Sequence, residues 1–360
     1  RNMYPLTTNR VFNITAANAI VEGLTITNGY LTGSGNHGGG VLMSANSTVR
    51  KCRINGNYTA QYGGGIRMTS GKLIDCTVQG NRAGVSGGGV NAENSTACLV
   101  SNCLISGNQA LTTASGGGMR MEYGTTANCV ISNNTAASGG GLIQIYAATF
   151  INCQFVHNAS TGAGGGIYGG TSGGYGVFRN CLIAGNSAGT YGGGVWMGHE
   201  SAFENCTIVG NSAATNGGFT VSQEAALLNS PTGINCIVYY NQATNAAAEL
   251  ADIGFTATNS TGGIMTNFSY SCSPYLVAGQ AGNVSSTPGF GAIGSGYGTN
   301  LVFGNYHLMS SSPCRDTGTE LSWMASGVDL DGADRIQGLG PDMGVYETTL
   351  PSRGTIVFVQ

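Results

Sequence analysis

FRNCLIAGNSAGTYGGGVW, residues 178–196, carries the two marks that decide the fold. One is a cysteine inside a short β-prone run that ends in Asn, here Asn180-Cys181-Leu182-Ile183-Ala184-Gly185-Asn186. The other is a glycine triplet followed by an apolar residue, here Gly192-Gly193-Gly194-Val195. Outward from this stretch, the two marks alternate strictly over residues 36–241. The triplets begin at Gly38, Gly63, Gly87, Gly116, Gly139, Gly164 and Gly192, with a weakened copy at Gly217-Gly218-Phe219. The cysteines are Cys52, Cys76, Cys103, Cys129, Cys153, Cys181, Cys206 and Cys236, spaced 24, 27, 26, 24, 28, 25 and 30 residues apart.

Short β-branched runs broken by Gly and Asn exclude a helical repeat, and the period is too short for a propeller blade and lacks a horseshoe's leucine pattern. One turn of a parallel β-helix, with three short strands and three bends, fits. Stacking turns at about 4.8 Å completes the backbone hydrogen bonds along the axis. On that reading the Gly triplets supply positive φ and close approach at one corner. Asn tolerates a left-handed backbone and hydrogen-bonds to the Asn stacked on it, forming a ladder at another corner. The cysteines form a structural column in a narrow core, and the apolar residue two positions on, such as Ile105, Phe155 or Ile208, faces the same way.

Composition agrees. The 360 residues include 62 Gly, 7 Pro, 13 basic and 16 acidic residues, with 41% hydrophobic. Collagen and disordered chains are excluded, and long helices are disfavoured because interior glycine costs about 1 kcal/mol relative to alanine. A net charge of −3, with Lys51 and Lys72 the only lysines, leaves no basic face for nucleic acid or an anionic membrane. No run of about 18–20 apolar residues is present for membrane insertion. The chain starts at Arg1 without an initiator Met, as expected of a processed chain or an internal fragment. Ten Asn-x-Ser/Thr sequons are read as unmodified turn residues.

Phe150 to Cys153, Phe178 to Cys181 and Phe203 to Cys206 are close to a Phe-x-x-Asn mark, and Val21 to Gly29 looks like a first full turn. On these marks the chain resembles secreted bacterial right-handed parallel β-helix proteins with polymorphic-outer-membrane-protein-like repeats. The C-terminal third carries, in order, Tyr270-Ser271-Cys272, Pro288-Gly289-Phe290, Tyr306-His307-Leu308, Ser312 to Gly318, Asp329-Leu330-Asp331-Gly332 with Arg335, and Asp342 to Glu347. That order is similar to the choice-of-anchor Q family. The resemblance implies the fold and export. The chain departs from that family by ending in Arg353 to Gln360 rather than a sorting domain.

The expected architecture is therefore all-β: a single right-handed parallel β-helix of about nine turns with an irregular β C-terminal region. Residues 1–19 are expected as a cap or docking site, 20–250 as the repeats, 251–347 as a continuation with long loops, and 348–360 as an extended tail. Ligand chemistry is sparse. The column cysteines read as buried thiols rather than a metal or redox site, because no Cys-x-x-Cys knuckle is present. Cys98 lies outside the column, and a bond between Cys272 and Cys314 would staple the C-terminal segment in an oxidising compartment. Calcium is the one cofactor suggested, at Asp329, Asp331 and Asp334, whose alternation before Gly332 resembles half of an EF-hand loop. The alternative is that these acids cap turns and pair with Arg335.

Glu22, Asp75, Glu93, Glu122, Glu200, Glu204, Glu224 and Glu249 are scattered about one per turn, and His37, His157 and His199 are isolated, so no active site is read. Tyr168, Tyr175, Tyr191 and Trp196 fall near successive Gly corners as a surface stripe. The leading expectation is a non-enzymatic, extracellular structural protein that polymerises with itself. Its tail Thr355-Ile356-Val357-Phe358-Val359 would be donated as a strand to the next copy. A cell-surface adhesin or glycan-binding module is the alternative, and a polysaccharide lyase or hydrolase comes third.

Overall fold

One turn of the chain runs from Ile66 to Gly89. Its strands are Ile66–Met68, Lys72–Ile74, Thr77–Gln79 and Arg82–Ala83. The triplet Gly87 to Gly89 then lifts the chain to Val90–Ala92, in register above Ile66–Met68. The computed structural model describes residues 8–348 other than 112, 171–174, 223–230, 246–250 and 256–266. Among the described residues there is no α-helix, and the strands form four parallel sheets of ten, ten, nine and nine strands and one antiparallel pair, Phe290–Ala292 with Asn305–Leu308. The four faces are named here in chain order, so that Ile66–Met68 lies on the first and Arg82–Ala83 on the fourth.

Four strands per turn replace the expected three. The fourth is mostly two residues long, as in Tyr58–Thr59 and Gln109–Ala110, too short to display an alternating pattern. Inward residues stack on their own kind along the axis. Phe150, Phe178 and Phe203 lie in adjacent turns with ring centroids 4.7 and 4.5 Å apart and planes 7° from parallel, all shielded from water. Burying each ring contributes about 2–3 kcal/mol.

The glycine triplet is demanded position by position. Gly116 has φ of +68°. A Cβ on Gly117 would sit 2.3 Å from the Thr135 carbonyl oxygen, and one on Gly118 would sit 2.7 Å from that of Gly141 and 2.8 Å from the Asn134 amide nitrogen. The next turn passes too close for any side chain.

The asparagines divide into two columns rather than the single ladder expected. The buried column is Asn57, Asn81, Asn108, Asn134, Asn158, Asn186, Asn211 and Asn241. From Asn57 upward, each backbone N–H and side-chain Nδ2 donates to Oδ1 of the next member at 2.8–3.1 Å. Asp252 ends this ladder, its Oδ1 accepting both donors of Asn241 at 2.8 Å. The ladder asparagines are not themselves left-handed; the residues before them are, as at Asn133, His157 and Tyr240. So are those before each column cysteine, Asn102, Asn128, Asn152, Asn180, Asn205 and Asn235, with Lys51 and Asp75 in the same slot, these eight at φ of 50–56°.

All eleven cysteines are buried and unpaired. In the column, the amide N–H groups of Cys52, Cys76 and Cys103 each donate to the next sulfur at 3.4 Å. Burial pushes the Cys98 thiol up to about 11, and the Cys129 sulfur together with burial pushes Cys103 up to about 12. At Cys153, by contrast, burial is outweighed by the bonds to the Cys129 and Cys181 sulfurs, which hold the thiol low. Buried, all are packing groups.

The chain ends differ from the expected boundaries. Phe12–Ile14 already pairs with Val41–Met43 on the first face, so the solenoid begins inside the 1–19 segment. At the other end Cys272 bridges Ile237 and Val284, and Leu276 joins the main core. None of the described strands beyond Val284 enters the four sheets. Instead of continuing the stack, residues 285–348 fold back along the third face. They form a second apolar cluster there, with Val156, Leu182, Val209 and Ile237 from the solenoid against Leu301, Tyr306, Met343 and Val345. The tail Thr355 to Val359 lies outside the described residues, as do residues 1–7.

Candidate binding groove

The folded-back segment is clamped by the left-handed asparagines. Asn180 Nδ2 donates to the Val328 carbonyl, Asn205 Nδ2 to that of Asp342 at 3.1 Å, and Asn235 Nδ2 to that of Thr319 at 2.8 Å. Sequence reasoning expected asparagine to turn the backbone and to stack on its own kind, not to hold another segment. The signal available was their fixed place before each cysteine, on a face left open by the stack.

Over the two turns below Asn180, the segment stands off from the third face and leaves a groove. Two adjoining cavities of about 320 and 350 Å³ share Gln154. Asn128, Val130, Asn152, Leu330 and Asp331 line the first. Leu182, Phe303, Asn305, Tyr306, His307 and Tyr346 line the second. At their junction His307 Nε2 lies 2.6 Å from Asp331 Oδ2, and His307 Nδ1 lies 2.7 Å from Asn305 Oδ1. The imidazole stacks on Tyr346 at 4.1 Å, yet both partners of the pair reach solvent, their side chains 44% and 56% exposed.

The calcium trio is not brought together. Asp329 caps its own turn, Oδ1 accepting the Asp331 and Ala333 N–H groups and Oδ2 that of Glu347. Asp331 turns to His307, and Asp334 is exposed. Among the described residues no three His, Cys, Asp or Glu side chains gather as metal ligands. Arg335 does not pair with these acids either. Fully buried, it donates to the Asp342 and Gly344 carbonyls and to Glu347 Oε1 at 3.0 Å. Burial pushes the Glu347 carboxyl up to about 8 against the pull of Arg335.

Of the acids read as scattered, Glu224 and Glu249 lie outside the described residues, and Glu93 and Glu122 are stacked on adjacent turns. Arg120 bridges Glu93 (3.1 Å) and Glu122 (2.6 Å) on the first face, and Arg67 also bonds Glu93. Burial pushes the Glu93 carboxyl up, but Asn91, Arg67 and Arg120 outweigh it and hold it below the usual range. Glu204 likewise pairs with Arg179 at 2.6 Å. These carboxylates serve ion pairs. Two rings of the aromatic stripe engage each other: Tyr168 and Trp196 stack face to face at 4.4 Å, and Trp196 is only 8% exposed, whereas Tyr175 is exposed. His157 is not a bare surface residue. It accepts the left-handed slot before Asn158 and holds the folded-back segment through the Leu301 carbonyl at 3.0 Å.

Parallel stacking of nine to ten levels, one core and glycine corners set the expected class, and comparison with known families decides it. The family described as right handed beta helix region matches residues 64–271, more than half of the chain. The chain belongs to that family. No curated protein matches it. Right-handed β-helix proteins include adhesins as well as polysaccharide lyases and hydrolases, so membership fixes the fold and leaves the function to the site. No helix among the described residues is long and apolar enough to cross a membrane.

Proposed function

We propose that this β-helix is a non-catalytic carbohydrate-binding protein of the cell surface. The observation that carries the proposal is the lining of the groove: exposed amides, one solvent-facing carboxylate and aromatic rings, built where the repeat meets the folded-back segment. Sugar hydroxyls need donors and acceptors side by side, and a few convergent polar groups in a partly apolar cleft supply them. Asp331 accepts hydroxyl protons, Gln154 serves either role, and Phe303, 44% exposed, offers apolar area to a sugar ring. Hydrolysis of a glycosidic bond needs two carboxyl groups flanking it. Of the two acids lining the groove, Asp329 has both oxygens committed to backbone amides, so Asp331 stands alone.

Self-assembly has less support. Its proposed donor strand, Thr355 to Val359, lies outside the described residues, so the groove is the feature on which a reading can be built. A glycan array followed by calorimetry tests the binding reading. The wild-type chain should bind saturably, and Asp331→Asn or Gln154→Ala should weaken binding about ten-fold with unchanged circular dichroism. An array without saturable binding, or variants that bind like wild type, would sink it.

A further inference from the structure

The second asparagine column specifies what the groove accepts. A side-chain amide nitrogen carries two hydrogens. At Asn180 one runs down the column to Asn152 Oδ1 at 3.2 Å, and at Asn235 one runs to Asn205 Oδ1 at 3.2 Å. The other hydrogen, at Asn180, Asn205 and Asn235, meets a carbonyl oxygen of the folded-back segment. Asn152 and Asn128 continue the same column with the same left-handed backbone, and both line the first cavity. No protein carbonyl reaches their Nδ2 groups among the described residues. Opposite them stands Asp331, whose Oδ2 faces His307, with Val130 and Leu330 as apolar lining.

Resting on the carbohydrate reading, we infer that the first cavity takes the acetamido group of an N-acetylated hexosamine. The acetamido carbonyl receives the Asn152 and Asn128 amides as the Val328, Asp342 and Thr319 carbonyls are received higher in the column. Its N–H is offered to Asp331, and its methyl group lies against Val130 and Leu330. A peptide also presents carbonyls. A sugar fits better because the same cleft adds a carboxylate and an aromatic wall beside the amides, groups that the clamped peptide segment does not use higher up.

Column geometry also provides a variant that keeps the fold. Asp75 occupies the equivalent slot at φ of 53°, and its Oδ1 accepts Asn102 Nδ2 at 3.1 Å, the same rung-to-rung bond that Asn152 makes. Asn152→Asp therefore preserves backbone and column while replacing a donor with a repelling acceptor.

Calorimetry with N,N′-diacetylchitobiose and with cellobiose, which lacks only the acetamido groups, tests the assignment on the wild-type chain and on Asn152→Asp. Diacetylchitobiose should bind at least about ten-fold more tightly than cellobiose, and Asn152→Asp should remove that preference. Equal binding of the two disaccharides, or an undiminished preference in Asn152→Asp, overturns the acetamido assignment and leaves a carbohydrate groove. Binding of an N-acetylated extended peptide in place of both sugars overturns the assignment and the carbohydrate reading together.

Discussion

Asp252 is the one place where the buried amide ladder ends on a carboxylate. Every lower level presents an Asn oxygen to the donors beneath it. At the top Asp252 Oδ1 receives the Asn241 N–H and Nδ2, both at 2.8 Å, in a site almost closed to water. Burial raises its carboxyl from 3.8 to about 7, the two Asn241 hydrogen bonds only partly opposing it. No cation lies among the causes of its shift. A group raised in the folded state contributes stability that is complete below its unfolded pKa and is lost as pH rises through the folded one. The window is therefore pH 4 to 7, and a shift of about three units corresponds to about 4 kcal/mol.

Asp252→Asn restores the oxygen acceptor used at every other level and removes the titration. Any cost of the new amide nitrogen is independent of pH, so the slope is the test. Urea unfolding of both proteins from pH 4.5 to 8, with hydrogen exchange over residues 237–255 to isolate the upper turns, should show the wild type losing about 3 kcal/mol relative to the variant across that range, the remainder having been lost below pH 4.5. Glu347 and Asp342, also raised by burial, slope the same way but are common to both proteins and cancel. A difference between the two proteins that stays constant from pH 4.5 to 8 would refute the reasoning.

Two further outcomes follow from the columns. Asn134→Ala strips the acceptor from the Asn108 N–H and Nδ2 and leaves both buried, which should cost about 4 kcal/mol by denaturant titration and raise exchange at the adjoining turns before the ends. Ellman's reagent should find none of the eleven buried thiols in the native protein and reach them only on unfolding, whereas rapid labelling of a native column cysteine would contradict the sealed core.

How much of this was legible depends on which residues repeat. Gly116 to Gly118 and Cys103 announce themselves because the same backbone demand recurs every turn, so period alone reveals the solenoid. The fourth strand stayed hidden because two residues such as Arg82–Ala83 carry no alternation. Glu93 and Glu122, 29 positions apart in the chain, looked scattered for the reason that made the fold readable: one turn of sequence is one strand spacing in space. Any charged residue in such a chain has to be compared with positions about 25 residues away before it is called isolated. Arg335 was assigned to the nearer acids, whereas its carboxylate partner is Glu347, brought in by a fold-back that no periodicity encodes.

The same logic locates function. In a stack of nearly identical turns, each polar side chain that faces a neighbouring turn finds its own kind, and its hydrogen bonds close on themselves. The Asn57 to Asn241 ladder has no donor left for a ligand, and the Tyr168–Trp196 pair has no open face between its rings. Unmet chemistry arises where something outside the repeat begins or stops. The folded-back segment satisfies Asn180, Asn205 and Asn235 but not Asn152 or Asn128, and at that boundary it also brings in His307, Asp331 and Tyr346, which no turn of the solenoid supplies. The groove is therefore a consequence of where the aperiodic chain lifts off the periodic one. Shifting the segment by one turn along the column would bury or expose a different pair of amides while leaving the solenoid itself unchanged.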